Sequence, residues 1–186
     1  MKRTLKEIAA IRFGYHAQPQ DKGNIAYLQA GQFDSRGKLA QMPGSFINLD
    51  NRSSEHVLVD GDMIFVGKGN RNFAWCYRES IGLAVASSIF FIIQPDKNII
   101  HPEYLTAYFN MEKSQQHFRK LGEGSNVASI RKSELGEFIV PVLPMKKQRE
   151  IAAISELHLK KTDITENILK RENELYNAVM NNLVNL

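Results

Sequence analysis

The sequence has few of the residues that build covalent or metal-linked frameworks. Its 186 residues include one cysteine, Cys76, so no intramolecular disulfide can form. The five histidines lie far apart, form no glutamate-spaced zinc pair and have no cysteine cluster beside them. We therefore expect neither a disulfide framework nor a structural metal, and the sequence predicts no cofactor.

Long hydrophobic runs are also missing. The longest, Ser88–Ile93, is far too short to span a bilayer, and its β-branched and aromatic residues favour a buried strand. No charged leader followed by an apolar core opens the chain. These absences predict a cytoplasmic protein with no membrane partner.

Signatures of catalysis are absent as well. Gly67-Lys68-Gly69 resembles a phosphate-binding loop only superficially, because the Gly-x-x-x-x-Gly-Lys-Ser/Thr spacing is missing and a strand pattern follows it. Asp60 and Asp62 fit a tight turn better than a catalytic pair. Neither a Gly-x-Ser-x-Gly elbow nor an Asn-Pro-Pro-Tyr-type methyltransferase motif occurs. The sequence therefore nominates no catalytic residue and argues against an enzyme.

The chain contains a series of short strand patterns followed by helical patterns. The strand candidates are 25–29, 45–49, 56–59, 63–66, 73–77, 89–93 and 138–144. The pair 56–59 and 63–66 flanks a tight turn and predicts a hairpin. A capping pattern predicts a short helix from Thr4 to Ala9, and Pro102 begins two helical stretches that reach Leu121. Strands that precede helices, rather than alternating with them, predict an α+β fold.

The end of the chain predicts one long helix. From Met145 onward the sequence has no glycine or proline and consists mostly of good helix formers. Pro144 ends the extended segment before it. Roughly 39 residues at about 1.5 Å each give a helix of about 58 Å. We therefore divide the chain into a compact domain, residues 1–144, and a long helix, residues 145–186.

A seam follows this helix at alternating spacings of three and four residues, which is the pattern of a coiled coil. Its positions are Ile154, Leu157, Lys161, Ile164, Ile168, Arg171, Leu175, Ala178 and Asn182. The polar members lower the stability of a helix pair but restrict its register. The seam predicts a dimer interface, and the alternative is a surface helix folded back on its own domain.

The charge pattern permits a polyanionic partner. The formal net charge is +4, and most of the positive excess lies before Pro144. Cations bind phosphates or guanine edges, and asparagine amides bind adenine edges. On this ground the DNA-binding candidates are Lys68, Asn70, Arg71 and Asn72 in one loop, and Arg36, Lys38, Arg131 and Lys132 elsewhere. The alternative for the first group is a solvated hairpin.

Several segments together resemble a known family. Val140–Met145, followed by Gln148–Ala152 at the start of a long helix, is similar to the specificity subunit of type I restriction-modification systems. Leu5–Ile8, Val59–Ile64 and Gly122–Ile130 support the resemblance in the family's order, so it covers nearly the whole chain. It implies an α+β target recognition domain followed by a helix that serves as spacer and assembly surface.

The resemblance also implies partners. They are double-stranded DNA and the methyltransferase and restriction/translocase subunits that supply the catalysis. Family members typically hold two recognition domains and two long helices, whereas this sequence holds one of each. It therefore predicts a homodimer that mimics the full subunit and recognises a bipartite inverted-repeat target. The alternative is a truncated or silent fragment that acts as a protein-interaction adaptor without reading DNA.

Overall fold

A computed structural model describes residues 1–34, 36–40, 44–48, 53–69, 71–122 and 129–184. Within these ranges the strands are β1 (Lys2–Thr4), β2 (Ala9–Phe13), β3 (Ile25–Leu28), β4 (Phe46–Ile47), β5 (Met63–Val66), β6 (Ala74–Cys76), β7 (Ala84–Ala86), β8 (Phe90–Pro95) and β9 (Ile139–Pro141). The α-helices are α1 (Pro102–Asn110), α2 (Glu112–Gly122), α3 (Lys132–Gly136) and α4 (Met145–Val184). The predicted α+β class with a long C-terminal helix is confirmed.

The larger sheet has the strand order β2-β8-β5-β6, and each neighbouring pair is antiparallel. β8 lies inside this sheet, and its first four residues are buried. A strand covered on both faces can be apolar throughout, which accounts for the run Phe90–Ile93. The buried strand predicted from that run is confirmed.

The smaller sheet has the order β4-β3-β7, with β3 antiparallel to β4 and parallel to β7. Leu28 and Ala86 of this sheet belong to the same buried cluster as Ile64 and Phe90 of the larger sheet. The two sheets therefore share one hydrophobic core. β1 pairs with β9 and joins the start of the chain to the segment before α4.

An aromatic cluster holds α1 and α2 against the larger sheet. The ring of Phe65 in β5 lies 5.3 Å from that of Phe109 in α1 and 4.7 Å from that of Phe118 in α2, between centroids. Phe138 lies 4.6 Å from Phe118 in the same cluster. Successive side chains of a strand point to opposite faces of its sheet. Phe65 contacts the helices and the neighbouring Ile64 contacts the smaller sheet, so the helices and the smaller sheet lie on opposite faces of the larger sheet.

The first residues differ from the predicted helix. A single 3-10 turn, Leu5–Glu7, forms there, and Glu7 Oε2 accepts hydrogen bonds from Thr4 N at 2.6 Å and Thr4 Oγ1 at 2.7 Å. The chain then enters β2, which pairs with β8. The predicted capping box between Thr4 and Glu7 is confirmed, but the helix ends at Glu7 and does not include Ala9, because Ala9 begins the strand that pairs with β8.

The predicted hairpin between 56–59 and 63–66 is also wrong, although its turn is present. Asp62 N donates to Val59 O at 2.8 Å, and Gly61 has a φ of +87°. β5 nevertheless pairs with β6 and β8, whereas Val57 forms an antiparallel bridge with Val85 of β7. The turn residues specify the reversal of the chain, but burial in two different sheets decides the pairing.

A buried amide anchors the start of α4. Gln148 is only 1% exposed, and its Oε1 accepts a hydrogen bond from His101 N at 2.7 Å. Its Nε2 donates to Ile99 O at 3.0 Å and to Leu143 O at 2.8 Å. One side chain thus satisfies three backbone groups around the point where the helix begins.

Contacts divide the chain into two units, Met1–Arg149 and Glu150–Leu186. The first contains the sheets, α1, α2, α3 and the first turn of α4. The second is the remainder of α4. Across the described ranges, no helix has the length and apolar character that crossing a membrane requires.

Replacing Gln148 by Leu should destabilise the first unit. The substitution leaves backbone groups of His101, Ile99 and Leu143 without their partner, and a buried unsatisfied group costs about 1–3 kcal/mol. Denaturant unfolding of the full chain measures the effect. The matched control is Gln18→Leu, at an exposed glutamine, which should change the free energy of unfolding little. Equal effects of both substitutions would contradict the anchoring role.

Candidate nucleic-acid interface

An open cleft of about 260 Å³ lies between the loops that carry Arg36 and Arg71 and the region where α1 passes into α2. Its wall consists of three arginines, three amides, one carboxylate and one aromatic ring. These residues are Arg36, Arg71, Asn72, Phe73, Asn110, Glu112, Gln115 and Arg119. Three of the predicted DNA-binding residues, Arg36, Arg71 and Asn72, therefore meet at one site.

A tight turn positions Arg36. Asp34 Oδ1 accepts hydrogen bonds from the backbone N–H groups of Arg36 and Lys38, each at 2.9 Å, and Asp34 Oδ2 accepts one from Arg36 Nη2 at 3.1 Å. Burial acts to raise the pKa of Asp34, but the N–H groups of Lys38 and Arg36 and the Arg36 guanidinium outweigh it. The pKa of Asp34 consequently lies below its usual value, so the carboxylate is ionised near neutral pH and holds the turn.

Backbone carbonyls position Arg71. Its Nη2 donates to Phe33 O at 3.0 Å and to Ala30 O at 3.3 Å. The guanidinium carbon also lies 5.3 Å from the centroid of the Phe73 ring, within the range of a cation–π contact. Arg71 is thus fixed by its own domain and presents a positive charge at the cleft.

Amide side chains hold the walls of the cleft. Asn72 Nδ2 donates to Val66 O at 2.8 Å across its own hairpin. Asn110 at the end of α1 accepts from Ala74 N at 2.9 Å and donates to Ala74 O at 2.8 Å, which ties the helix to β6. Asn70, the other predicted amide, lies outside the described residues.

The helix α2 contributes residues that the sequence reasoning did not single out. Its buried positions include Ser114 and Phe118, whereas Glu112, Gln116 and Arg119 are exposed. Arg119 Nη2 donates to Glu112 Oε1 at 2.6 Å, and Gln116 Nε2 donates to the same oxygen at 3.2 Å. The hydrogen bond from Arg119 lowers the pKa of Glu112. Their spacing of four and then three residues is a signal from which one polar face was predictable.

The remaining cationic candidates lie outside the cleft lining. The backbone of Lys68 forms an antiparallel bridge with Ser129, two residues before Arg131, so the loop carrying Lys68 lies beside the start of α3. Lys68, Arg131 and Lys132 are all exposed, as is Lys38 in the Asp34 turn. The fold therefore brings the predicted cations into two groups on the first unit.

The predicted seam of α4 is exposed in the second unit. Its apolar members are Ile154 (67% exposed), Leu157 (65%), Ile164 (61%), Ile168 (53%) and Leu175 (66%). Lys161, Arg171 and Ala178 are exposed as well. Exposed rows of large apolar side chains are typical of interaction surfaces.

The thiol of Cys76 is not activated as a nucleophile. Burial raises the pKa of the Cys76 thiol to about 11, so the reactive thiolate is scarce at neutral pH. Among the residues that the structure describes, no three histidine, cysteine, aspartate or glutamate side chains are grouped so that they could hold a metal ion. Guanidinium and amide groups of the kinds that line the cleft bind phosphates and base edges in protein–DNA complexes.

The fold is that of an α+β domain with mixed sheets, followed by one long helix. The sequence model of the type I restriction modification DNA specificity domain matches residues 1–173. The chain belongs to this family of specificity domains. No curated protein sequence matches it significantly.

Three solved structures share the fold. The S subunit of the type I restriction-modification system from M. genitalium has a TM-score of 0.58 and 14% identity, over 83% of this chain and 37% of that one. The HsdS subunit from Thermoanaerobacter tengcongensis has a TM-score of 0.59 and 14% identity, over 88% of this chain and 38% of that one. A third structure describes the complex assembly and conformational transition of the type I R-M system. Its matching chain has a TM-score of 0.63 and 16% identity, over 90% of this chain and 44% of that one. The present chain spans less than half of each.

Asp34→Asn should lower stability in a pH-dependent way. The folded-state pKa of Asp34 is below its unfolded value, so its stabilising contribution is present above the unfolded pKa of about 3.9 and is lost as the pH falls through the folded pKa. The melting temperature of the variant should therefore lie below that of the parent at pH 7, and the two should converge in acid. A difference that is constant across the whole pH range would contradict this role of the carboxylate.

Proposed function

We propose that residues 1–144 form a target recognition domain that binds double-stranded DNA and reads its sequence. The observation that carries the proposal is the convergence of Arg36, Arg71 and Arg119 on one polar cleft. Guanidinium groups donate to phosphate oxygens and to guanine edges. Asp34 and two backbone carbonyls already hold the first two arginines, and such preorganisation lowers the entropy lost on binding.

The exposed cations outside the cleft extend this surface. We assign Lys38, Lys68, Arg131 and Lys132 to phosphate contacts, which position a duplex without reading it. Asn72 donates through Nδ2 to its own hairpin, so Oδ1 is the atom that it offers to a base. We assign Asn70 to base contacts with it, on the sequence pattern alone.

Catalysis is assigned to partner proteins. In this proposal the chain selects the DNA target, and methyltransferase and restriction/translocase subunits modify or cleave the DNA that it selects. The proposal rests on membership in the specificity-domain family and on a cleft whose groups bind rather than react. The chain is therefore a recognition subunit and not an enzyme.

The long helix, residues 145–186, is proposed as the spacer and dimer interface. Its exposed seam, from Ile154 to Ala178, has the spacing of a coiled coil, and a second copy offers the same spacing in return. Lys161 and Arg171 interrupt the seam and favour a register in which a carboxylate of the opposite helix faces each of them. A two-fold axis gives each recognition domain its own half-site, so the target is a bipartite inverted repeat.

Duplex binding by the full chain should weaken steeply as salt rises, because each neutralised phosphate releases counterions. Replacing Lys68 and Arg71 together by Ala should weaken binding by about 1–3 kcal/mol at particular sequences if either residue reads a base, and uniformly across sequences if both hold phosphates. Fluorescence anisotropy with duplex DNA over a salt series measures both effects.

The matched control is Lys22→Ala, an exposed cation beside β3 and outside the cleft lining, which should leave affinity nearly unchanged. Thermal unfolding of the double variant is compared in parallel, because Arg71 also holds two carbonyls. Unchanged affinity in a folded double variant contradicts the loop assignment. A parent chain that binds no duplex at low salt favours the adaptor alternative.

The dimer should depend on the seam of α4. Replacing Ile164 and Ile168 by Glu places two like charges in the proposed interface and should produce monomers in sedimentation at tens of micromolar. The matched control, Asn173→Glu with Asn177→Glu, adds the same two charges half a turn of the helix away from Ile164 and Ile168 and should remain dimeric. A monomeric parent chain, or a dimeric Ile164 and Ile168 variant, would refute the helix as the interface.

A further inference from the structure

The helix α2 has one face anchored in the core and another that presents a polar row. Ser114 and Phe118 are buried, and the ring of Phe118 packs within the aromatic cluster under the larger sheet. Glu112, Gln116 and Arg119 are exposed at spacings of four and three residues, so they lie along one side of the helix. The anchored face fixes where this row points.

The row is chemically coupled but contributes little to the fold. Arg119 Nη2 and Gln116 Nε2 donate to the same carboxylate oxygen, Glu112 Oε1, at 2.6 and 3.2 Å. The side chains of Arg119 and Glu112 are 53% and 71% exposed. Ion pairs this exposed add little stability, so a ligand can reorganise them at small cost. Two of the three residues, Glu112 and Arg119, also line the cleft.

The three side chains match the three main modes of reading bases in the major groove. Arginine donates to O6 and N7 of guanine, glutamine pairs with N6 and N7 of adenine, and a carboxylate accepts from N4 of cytosine. The rise from Glu112 to Arg119 is about 10 Å along the helix, which corresponds to about three base pairs. The groove, about 12 Å wide, admits an α-helix.

The surroundings of the row suit a duplex. Arg36 and Arg71 lie in the same cleft as Arg119 and are held by Asp34 and by backbone carbonyls, so they are placed to contact phosphates beside the groove. Lys120 is exposed on α2 itself. Positive charge therefore accompanies the row on both the helix and the facing loops.

We propose that α2 is a major-groove recognition helix whose row of Glu112, Gln116 and Arg119 selects the bases of a short segment, with Arg119 reading a guanine. The proposal rests on the proposed DNA binding by the first unit and names the residues that determine specificity there. The anchored loop arginines hold the backbone, and the row on α2 reads the sequence.

Selection from a duplex library with randomised positions tests this proposal on the full chain. Arg119→Gln should change the preferred base at one position away from guanine and leave the other positions unaltered. The lost guanine preference should be about 5- to 150-fold, the range for one bidentate contact. Gln116→Glu should alter a neighbouring position, which keeps the test informative if one variant does not fold.

The matched control is Lys113→Gln, which removes the same charge from the same helix outside the cleft lining and should leave every base preference unchanged. A uniform loss of affinity over all sequences in Arg119→Gln overturns the proposal, because it indicates a phosphate contact. Unchanged preferences in both α2 variants overturn it as well while leaving DNA binding intact. If the parent chain enriches no sequence, the proposed function fails, and this inference fails with it.

Discussion

The packing of Phe118 against Phe65 determines the geometry of the cleft. Phe65 belongs to an interior strand of the larger sheet, and its ring lies 4.7 Å from that of Phe118 between centroids. α2 is otherwise rich in polar residues, and its position depends on this contact and on the neighbouring rings of Phe109 and Phe138. Removing a buried phenylalanine ring costs about 3–5 kcal/mol, so the helix is held firmly enough to present its polar side in a fixed direction.

Individual hydrogen bonds hold the other walls of the cleft in place. A carboxylate orders the turn that carries Arg36, carbonyl groups order Arg71, and the Asn110 amide ties the end of α1 to β6. Each contact joins a loop or a helix end to an element of the rigid scaffold, which is how proteins present variable binding groups on a stable fold. The same loops can therefore change their outward side chains without changing the sheets beneath them.

Sequence reasoning predicted the elements that depend on local signals. Pro144 and the glycine-free segment after it specify where α4 begins, and the apolar run at 90–93 specifies a buried strand. Sequence reasoning failed where pairing between distant segments decides the structure. It missed the strand β2, which pairs with β8, and it paired 56–59 with 63–66 across the turn at Asp60–Asp62, although these segments pair with different strands. Arg36 and Arg71 were predicted as binding residues because they lie in polar loops. Arg119 was missed because an arginine on the exposed face of a helix is common in any protein, and only the tertiary packing shows that it lines the same cleft as Arg36 and Arg71.

We propose that one copy of this chain reads one half-site through the first unit and that α4 pairs two copies. Hydroxyl-radical footprinting on a duplex selected by the full chain tests both parts together. Two protected segments related by a two-fold axis, separated by a gap of constant length, are the predicted result. A single protected segment at saturating protein, or uniform protection without sequence preference, would contradict it.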